Sequence, residues 1–209
     1  MCPESEGYPK DFRLAVQSAV GIEGQGEDPR DHGGATQWGI SRRFAQALVK
    51  RDSAWRERLD FDGNGRVTAG DIRNVSMELA IRIYFEEFWK RFEIDKVGWP
   101  AALIALSYFI NMPPRDARAI LQRALCYAYG QISVDGLMGP ETRRALEGVQ
   151  DRSSQIELCK RLEGAASEHY AELGERQAHF ETGWQYRSAS ALWDAARELK
   201  TNVAPTQAA

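Results

Sequence analysis

Cysteine is scarce in this 209-residue sequence, which holds three: Cys2, Cys126 and Cys159. A small, odd number of cysteines argues against a disulfide framework and is typical of proteins made in a reducing compartment. Long hydrophobic runs are missing as well, since the longest apolar segment, residues 101–110, is too short to span a bilayer. We therefore predict no membrane insertion.

The first residues also lack the features of a secretory signal, because residues 1–6 contain neither a basic stretch nor an apolar core. We predict synthesis in the cytoplasm. Positive charge is not in excess either, since 27 Lys and Arg stand against 30 Asp and Glu, for a net charge of −3. Such a balance gives no general attraction to polyanions, and we predict no nucleic-acid partner.

What the sequence does contain is a stretch rich in glycine and carboxylates at residues 21–41, between two helical patterns. Glycoside hydrolysis requires two carboxyl groups in different environments, one of which stays protonated near neutral pH. Glu23 follows Val20 and Ile22, whose apolar side chains are suited to raising the pKa of a carboxyl group. Glu23 is therefore the candidate proton donor.

Three further residues complete the catalytic hypothesis. Asp28 and Asp31 lie in a polar, glycine-rich loop, which suits a carboxylate that activates water or stabilises positive charge. Thr36 is suited to orienting a water molecule, and Trp38 is assigned to substrate binding. The alternative, which composition alone favours, is an acidic surface turn in which an aspartate caps a helix.

Residues 21–41 resemble the signature of glycosyl hydrolase family 108, the bacterial and phage muramidases. The matching residues, in order, are Glu23-Gly24, Asp28-Pro29, Asp31, Gly33-Gly34, Thr36 and Gly39-Ile40-Ser41. The resemblance implies that Glu23 is the general acid. It leaves open whether Asp28 or Asp31 is the second catalytic group, because the loop is one residue shorter at Gln25-Gly26. A weaker likeness to phage-type lysozymes has Glu, Asp and Thr in the same order.

The family resemblance extends over most of the chain. It implies an all-α, lysozyme-like fold in which a catalytic module and a C-terminal helical module form a cleft. We place the catalytic module at residues 10–95 and a helical peptidoglycan-binding module at residues 98–190, with a disordered tail at residues 201–209. The second module resembles the family's predicted peptidoglycan-binding segment at Asn111, Leu121-Gln122-Arg123-Ala124-Leu125, Asp135-Gly136, Gly139-Pro140 and Thr142.

Helical periodicity agrees with this class. It predicts a first helix over residues 10–22 and a second over residues 41–59, for which Ser41 is a suitable N-cap. A largely buried helix is expected over residues 101–111, ended by two prolines, and a long amphipathic helix over residues 153–178.

Residues 60–71 are close to a calcium-binding loop, with Gly65 at the sharp turn. The residues at its ligand positions are Asp60, Asp62, Asn64, Arg66 (through its carbonyl) and Asp71. Asp71 stands at the twelfth position, where glutamate is usual, and its shorter side chain reaches an ion with fewer oxygens. We predict a structural calcium ion, with no cofactor required for catalysis. The alternative is an Asx-rich turn capped by Asp71 without a metal.

Three more residues are candidates for sugar contacts. Tyr84 and Trp89 fit stacking on sugar rings, although aromatic residues are more often buried in a core. Asn111 lies inside an apolar run, so its amide needs a polar partner, and a substrate in the cleft is one such partner.

The predicted activity is hydrolysis of the β-1,4 bond between N-acetylmuramic acid and N-acetylglucosamine, by a monomer that acts on peptidoglycan glycan strands. Because no export signal is visible, reaching the periplasm or cell wall would require a phage holin, as for an endolysin, or a dedicated secretion system. Two alternatives are a non-catalytic peptidoglycan-binding component of a phage or secretion apparatus and a lytic transglycosylase that uses Glu23 alone. A calcium-regulated interaction module built on residues 60–71 is a third.

Overall fold

The computed structural model describes residues 5–22, 35–130 and 132–173, together with Arg197. Within these ranges the chain is mostly helical, with one two-stranded hairpin. The α-helices are α1 (Lys10–Ile22), α2 (Arg42–Arg51), α3 (Arg56–Leu59), α4 (Ala69–Arg73), α5 (Met77–Tyr84), α6 (Ala101–Asn111), α7 (Pro114–Tyr129), α8 (Pro140–Glu147) and α9 (Arg152–Leu173). The strands are β1 (Thr36–Gln37) and β2 (Ile40–Ser41). The predicted all-α, lysozyme-like class is confirmed, with the hairpin as a minor sheet.

Backbone contacts divide the described residues into two compact units. The first contains the hairpin and helices α2 to α5, as far as Tyr84. The second contains the larger, N-terminal part of α1 and the chain from Phe85 onward. The modules placed at residues 10–95 and 98–190 follow sequence motifs instead, and that division stays a prediction.

Ser41 begins α2 as predicted. Its Oγ accepts a hydrogen bond from the backbone N–H of Phe44 at 3.2 Å, which satisfies one of the free N–H groups of the first turn. One turn later, Nε2 of Gln46 donates to the carbonyl oxygen of Val67 at 2.8 Å and ties α2 to the loop before α4. The core of this first unit consists of Ala35, Ile40, Ala45, Leu48, Val49, Trp55, Leu59, Val67, Ile72, Val75, Ala80, Ile81, Ile83 and Tyr84.

The single helix predicted over residues 41–59 is wrong, because Asp52 interrupts it. Asp52 is extended, with φ −137° and ψ 108°, so α2 ends at the preceding residue. Its carboxylate accepts from the backbone N–H of Ala54 at 3.0 Å and caps the 3₁₀ turn Ser53–Trp55, from which α3 follows. Aspartate competes with the helical backbone for such hydrogen bonds, which favours a cap over a helix interior.

Helix α5 passes directly into a π-helical turn, Phe85–Lys90. In a π-helix the backbone hydrogen bonds join residues five apart, so their side chains lie near each other. Nζ of Lys90 accordingly lies 4.9 Å from the ring centroid of Phe85. Four aromatic rings form a cluster in the second unit: Tyr8, Phe12, Phe85 and Trp89. Their edge-to-face contacts, with centroids 4.8 to 5.5 Å apart, anchor the start of α1 to this turn.

Helix α6 is the most buried element of the second unit, since every residue from Ala101 to Phe109 is buried. Pro113 and Pro114 end it as predicted, and Pro114 is the first residue of α7, where a missing N–H is tolerated. Helix α9 packs on both α6 and α7. It begins at Arg152, near the predicted start, and is described as far as Leu173. None of the helices in the described ranges is both long and apolar enough to cross a membrane.

Candidate functional site

The hairpin that follows the predicted catalytic stretch turns through Trp38 and Gly39. Strand β1 pairs antiparallel with β2 and places Thr36 opposite Ser41. The two turn residues have φ values of 52° and 75°. Two positive φ values are the mark of the type I′ turn, whose preferred residues are Asn, Asp and Gly. Trp38 is thus a bulky side chain in a left-handed conformation, which costs a non-glycine residue about 1–2 kcal/mol.

Tyr84 holds this turn from the core of the first unit. Its side chain is 1% exposed, and its hydroxyl donates to the carbonyl oxygen of Trp38 at 2.7 Å. Burial of the ring favours the core alternative for Tyr84, and its sugar-stacking role stays a prediction. Trp38 itself is partly exposed.

Thr36 is the predicted catalytic residue that falls within the described ranges. Glu23, Asp28 and Asp31 lie outside the described residues, and their roles stay predictions. Thr36 is partly exposed on β1, two positions before Trp38. The hairpin therefore carries a predicted water-orienting residue and a predicted sugar contact on one short element.

Trp89 and Asn111, the other predicted sugar contacts, lie in the second unit. Trp89 is 4% exposed and its ring packs on Phe12 with centroids 5.5 Å apart, which again favours the core alternative over sugar stacking. One side of Trp89 borders a pocket of about 210 Å³. Nδ2 of Asn111 donates to the carbonyl oxygen of Ser107 at 2.8 Å. Its amide therefore has a partner on its own helix.

Residues 60–71 bring three carboxylates together between α3 and α4. One oxygen from each of Asp60, Asp62 and Asp71 lies within 4.8 Å of the other two. Calcium–oxygen distances are about 2.3–2.6 Å, so ligands on opposite sides of an ion are about 5 Å apart. The spacing and the oxygen donors of these residues therefore fit a calcium ion.

The same loop is also held by its own hydrogen bonds. The carboxylate of Asp60 accepts from the backbone N–H groups of Asn64 at 3.0 Å and of Gly65 at 2.7 Å. Oδ1 of Asn64 accepts from the backbone N–H of Arg66 at 2.9 Å. These contacts form the Asx-rich turn that is the alternative to a metal site. Ligation through the carbonyl of Arg66 stays a prediction.

Asp71 is at the same time part of the capping box of α4, in which Thr68 is the N-cap residue. One carboxylate oxygen accepts from the backbone N–H of Phe61 at 2.8 Å, and the other accepts from the backbone N–H and the hydroxyl of Thr68 at 2.7 and 2.6 Å. Burial opposes ionisation, but the hydrogen bonds together outweigh it and lower the pKa of Asp71 below its ordinary value. Asp71 is therefore ionised near neutral pH, as a calcium ligand must be.

In the second unit, one buried amide holds a turn together. Gln122 is 1% exposed, and its Oε1 accepts from the backbone N–H of Gly136 at 2.8 Å. Its Nε2 lies within hydrogen-bond distance of Oδ1 of Asp135, the carbonyl oxygen of Leu137 and Oγ1 of Thr142, at 2.9, 2.9 and 3.1 Å. These five residues are called the Gln122 cluster below. Gln122, Asp135, Gly136 and Thr142 carry part of the family resemblance, and their role here is to fix the chain between α7 and α8.

Two features of these sites are not evident from the sequence. Tyr84 and Trp38 are 46 positions apart, and a tyrosine in an apolar stripe gives no indication of which carbonyl its hydroxyl meets. Gln122 does offer a signal, because it lies between Leu121 and Ala124 on the buried side of a helix, and a buried amide requires partners.

Comparison with known proteins gives two successive family matches. Residues 16–112 match the family described as glycosyl hydrolase 108, and residues 116–189 match the family described as predicted peptidoglycan domain, which confirms the resemblance seen in the sequence. Among solved structures, that of Brucella abortus SagA is similar, with a TM-score of 0.66 and 22% identity, over 92% of this chain and 98% of that chain. At this identity the likeness establishes the fold alone. No curated protein matches the chain.

Proposed function

We propose that the protein is an N-acetylmuramidase, because residues 16–112 match the glycosyl hydrolase 108 family and a match to a predicted peptidoglycan domain follows at residues 116–189. It cleaves the β-1,4 bond between N-acetylmuramic acid and N-acetylglucosamine. The observation that carries this proposal is the succession of the two domains in one chain. Together they support a glycoside hydrolase that acts on peptidoglycan.

In the proposed reaction, Glu23 protonates the leaving oxygen. Asp31 or Asp28 activates water or stabilises the oxocarbenium ion, and Thr36 orients the water. A general acid and a second carboxylate are the minimum set for glycoside hydrolysis. The hairpin supports the role of Thr36, because β1 fixes this residue shortly after the carboxylate-rich stretch in the chain.

We assign residues 10–95 to catalysis and residues 98–190 to holding glycan strands. The order of the two family matches supports this division of labour, because the first ends at residue 112 and the second begins at residue 116. The protein is proposed to act as a monomer in the periplasm or cell wall. It reaches this compartment through a holin or a dedicated secretion system.

Digestion of purified peptidoglycan tests the activity and its type in one measurement. Mass spectrometry of the soluble products should find N-acetylmuramic acid at a reducing end. An anhydro end would identify a lytic transglycosylase instead. Sedimentation with the wall without any soluble product would identify a non-catalytic binding component.

Substitution of Glu23 tests the proposed general acid. Glu23→Gln keeps the shape of the side chain but removes the transferable proton, and general acid catalysis contributes about 10²–10⁴-fold. We expect this variant to sediment with peptidoglycan, to keep its melting temperature and to lose wall clearance by at least about 100-fold.

Glu27→Gln is the matched control, because Glu27 lies in the same stretch but outside the proposed set. It should retain clearance. Asp31→Asn should lose more activity than Asp28→Asn, since Asp31 keeps its family spacing to Gly33-Gly34. Clearance of the cell wall by Glu23→Gln at the wild-type rate would contradict the proposed mechanism.

A structural calcium ion at residues 60–71 is proposed as a separate property of the catalytic module. Asp60, Asp62 and Asp71 supply carboxylate oxygens at a suitable spacing, and catalysis needs no metal in the reaction described above.

A further inference from the structure

The turn at residues 38 and 39 has a tryptophan at a position where a positive φ favours Asn or Gly. A type I′ turn accepts Asn or Gly without strain, yet its first position holds Trp38 with φ 52°. Strained residues persist only where the surrounding structure holds them, and they are concentrated at sites that bind or react. Trp38 is not fully buried, since the residue is partly exposed whereas the core residue Ile40 is 1% exposed.

We propose that Trp38 is a stacking platform for a pyranose ring of the glycan strand, and that Tyr84 is the positioning residue that holds it in the left-handed conformation. The inference rests on the proposed function and extends it to a sugar-binding position. It also gives Tyr84 a role that differs from direct sugar contact.

The contact between the two residues supports this assignment. The hydroxyl of Tyr84 donates to the carbonyl oxygen of Trp38 at 2.7 Å, and the ring that carries this hydroxyl is 1% exposed. A buried ring cannot rotate away, so the hydroxyl is a fixed donor that favours one backbone conformation of the turn. Trp38 as a residue remains partly accessible to solvent, and a stacking platform requires such access.

The strained residue Trp38 lies in the same hairpin as the predicted water-orienting residue. Thr36 lies opposite Ser41 in the same hairpin, two positions before Trp38. A sugar ring stacked on Trp38 would therefore be held at a fixed position relative to Thr36, the residue proposed to orient water. An Asn at position 38 would relax the backbone but would not hold a sugar ring at that position.

Binding of tetra-N-acetylchitotetraose, a defined β-1,4-linked N-acetylhexosamine chain, tests the proposal apart from hydrolysis. Asn is the natural residue for the turn, so Trp38→Asn should keep or raise the melting temperature while weakening binding about tenfold, or about 1.4 kcal/mol. Trp38→Tyr is the matched control that keeps a flat ring. It should bind nearly as well by calorimetry but lose the ligand-induced change in tryptophan fluorescence.

A double-mutant cycle tests the role of Tyr84. Tyr84→Phe keeps the ring in the core and removes the hydroxyl, so it should weaken sugar binding in the wild-type background. In the Trp38→Asn background the same change should no longer affect binding, because a positioning residue acts through the group it positions. An equal effect in both backgrounds would mean that Tyr84 has only a general structural role.

The outcomes separate this inference from the proposed function. Wall clearance by the wild type with undiminished sugar binding by Trp38→Asn would overturn the platform and leave the muramidase intact. Unfolding of Trp38→Asn would overturn it as well, since Trp38 would then be a structural anchor. A wild-type protein that neither binds the tetrasaccharide nor clears the wall would overturn both.

Discussion

Residues 60–71 and the Gln122 cluster both build a sharp, glycine-containing turn ahead of a helix, but with different chemistry. The first turn brings together the carboxylates of Asp60, Asp62 and Asp71, within 4.8 Å of one another. The second is arranged around one neutral amide, 1% exposed, whose donor and acceptor atoms are all used. Both turns are fixed by side-chain hydrogen bonds to backbone groups, so the number of such bonds does not distinguish them.

Charge and packing distinguish the two turns. Two carboxylates about 5 Å apart repel by about 1 kcal/mol in water-like surroundings and by more where solvent is excluded. The Gln122 cluster has no comparable repulsion and is complete without a ligand. The difference predicts that the first turn responds to cations, whereas the second responds to changes of shape.

The largest difference is expected at the two turn glycines. Gly136 and Gly65 both have positive φ, 72° and 82°, so alanine is strained at either position. A Cβ at Gly136 would lie 2.8 Å from the carbonyl oxygen of Arg115, whereas a Cβ at Gly65 would meet nothing within 4 Å. Gly136→Ala should lower the free energy of unfolding by about 3 kcal/mol or more, and Gly65→Ala by about 1 kcal/mol.

Urea denaturation of both variants measures this difference. Equal losses at Gly136 and Gly65 would show that backbone conformation alone governs the two turns, with no contribution from packing against Arg115.

Removal of the central amide should have the next largest effect. Gln122→Leu keeps the volume but leaves the backbone N–H of Gly136 without its acceptor, which should cost about 2–3 kcal/mol. Gln46→Leu is the control, because Gln46 also donates to a backbone carbonyl but is exposed, and water can replace it. Thermal unfolding should show a loss below about 1 kcal/mol for the control. Similar losses for both variants would show that the buried hydrogen bonds of Gln122 contribute no more to stability than an exposed one.

Calcium should distinguish the turns in the opposite sense. An ion that binds only the folded state stabilises it by about 1.4 kcal/mol at a tenfold excess over its Kd. We expect calcium to raise the melting temperature of the wild type, EDTA to lower it, and Asp62→Ala to abolish the difference. Asp52→Ala, which removes an exposed carboxylate outside the loop, should leave the calcium response intact. Identical melting curves with and without calcium would exclude the ion.

The smallest effect concerns acid. The pKa of Asp71 is lowered in the folded state, so its contribution is complete above the unfolded value of about 3.9 and is lost as the pH falls through the folded value. Glu163 has the opposite sign, because burial raises its pKa although Tyr108 contacts it. Its contribution is present below the unfolded value of about 4.3 and is lost as the pH rises through the folded value.

Denaturation curves between pH 2 and 6 measure both signs. Asp71→Asn should flatten the loss of stability on the acid side, and Glu163→Gln should flatten the decline as pH rises. Unchanged pH profiles in both variants would mean that neither carboxyl is coupled to folding.

Features that depend on residues close together in the sequence can be predicted from it, whereas features that depend on distant residues cannot. The first helix and the cap at Ser41 are predictable, because periodicity and capping are local. The break at Asp52 is not, since a charged segment lacks a clear apolar stripe. The two-residue strands β1 and β2 are too short to show alternation. The metal-like loop is visible as a motif, but the capping role of Asp71 is decided by hydrogen bonds to Phe61 and Thr68.

The candidate site divides in the same way. Trp38 lies between two matching parts of the family motif, but its left-handed backbone and its bond to Tyr84 depend on a partner 46 positions away. For an aromatic residue, the sequence alone favours core packing but leaves sugar stacking open. Burial favours core packing for Tyr84 and Trp89.

The π-helical turn Phe85–Lys90 determines which changes of length this part of the chain tolerates. A π-helical turn closes on the fifth residue along the chain and an α-helical turn on the fourth, so the π-helical turn holds about one residue more. Deleting one residue within Phe85–Lys90 would therefore let the helix return to α geometry while the residues on either side keep their relative orientation. The same deletion in the α-helical part of α5 would rotate every later side chain by about 100°, so single-residue changes of length are better tolerated in this turn than in the helix before it.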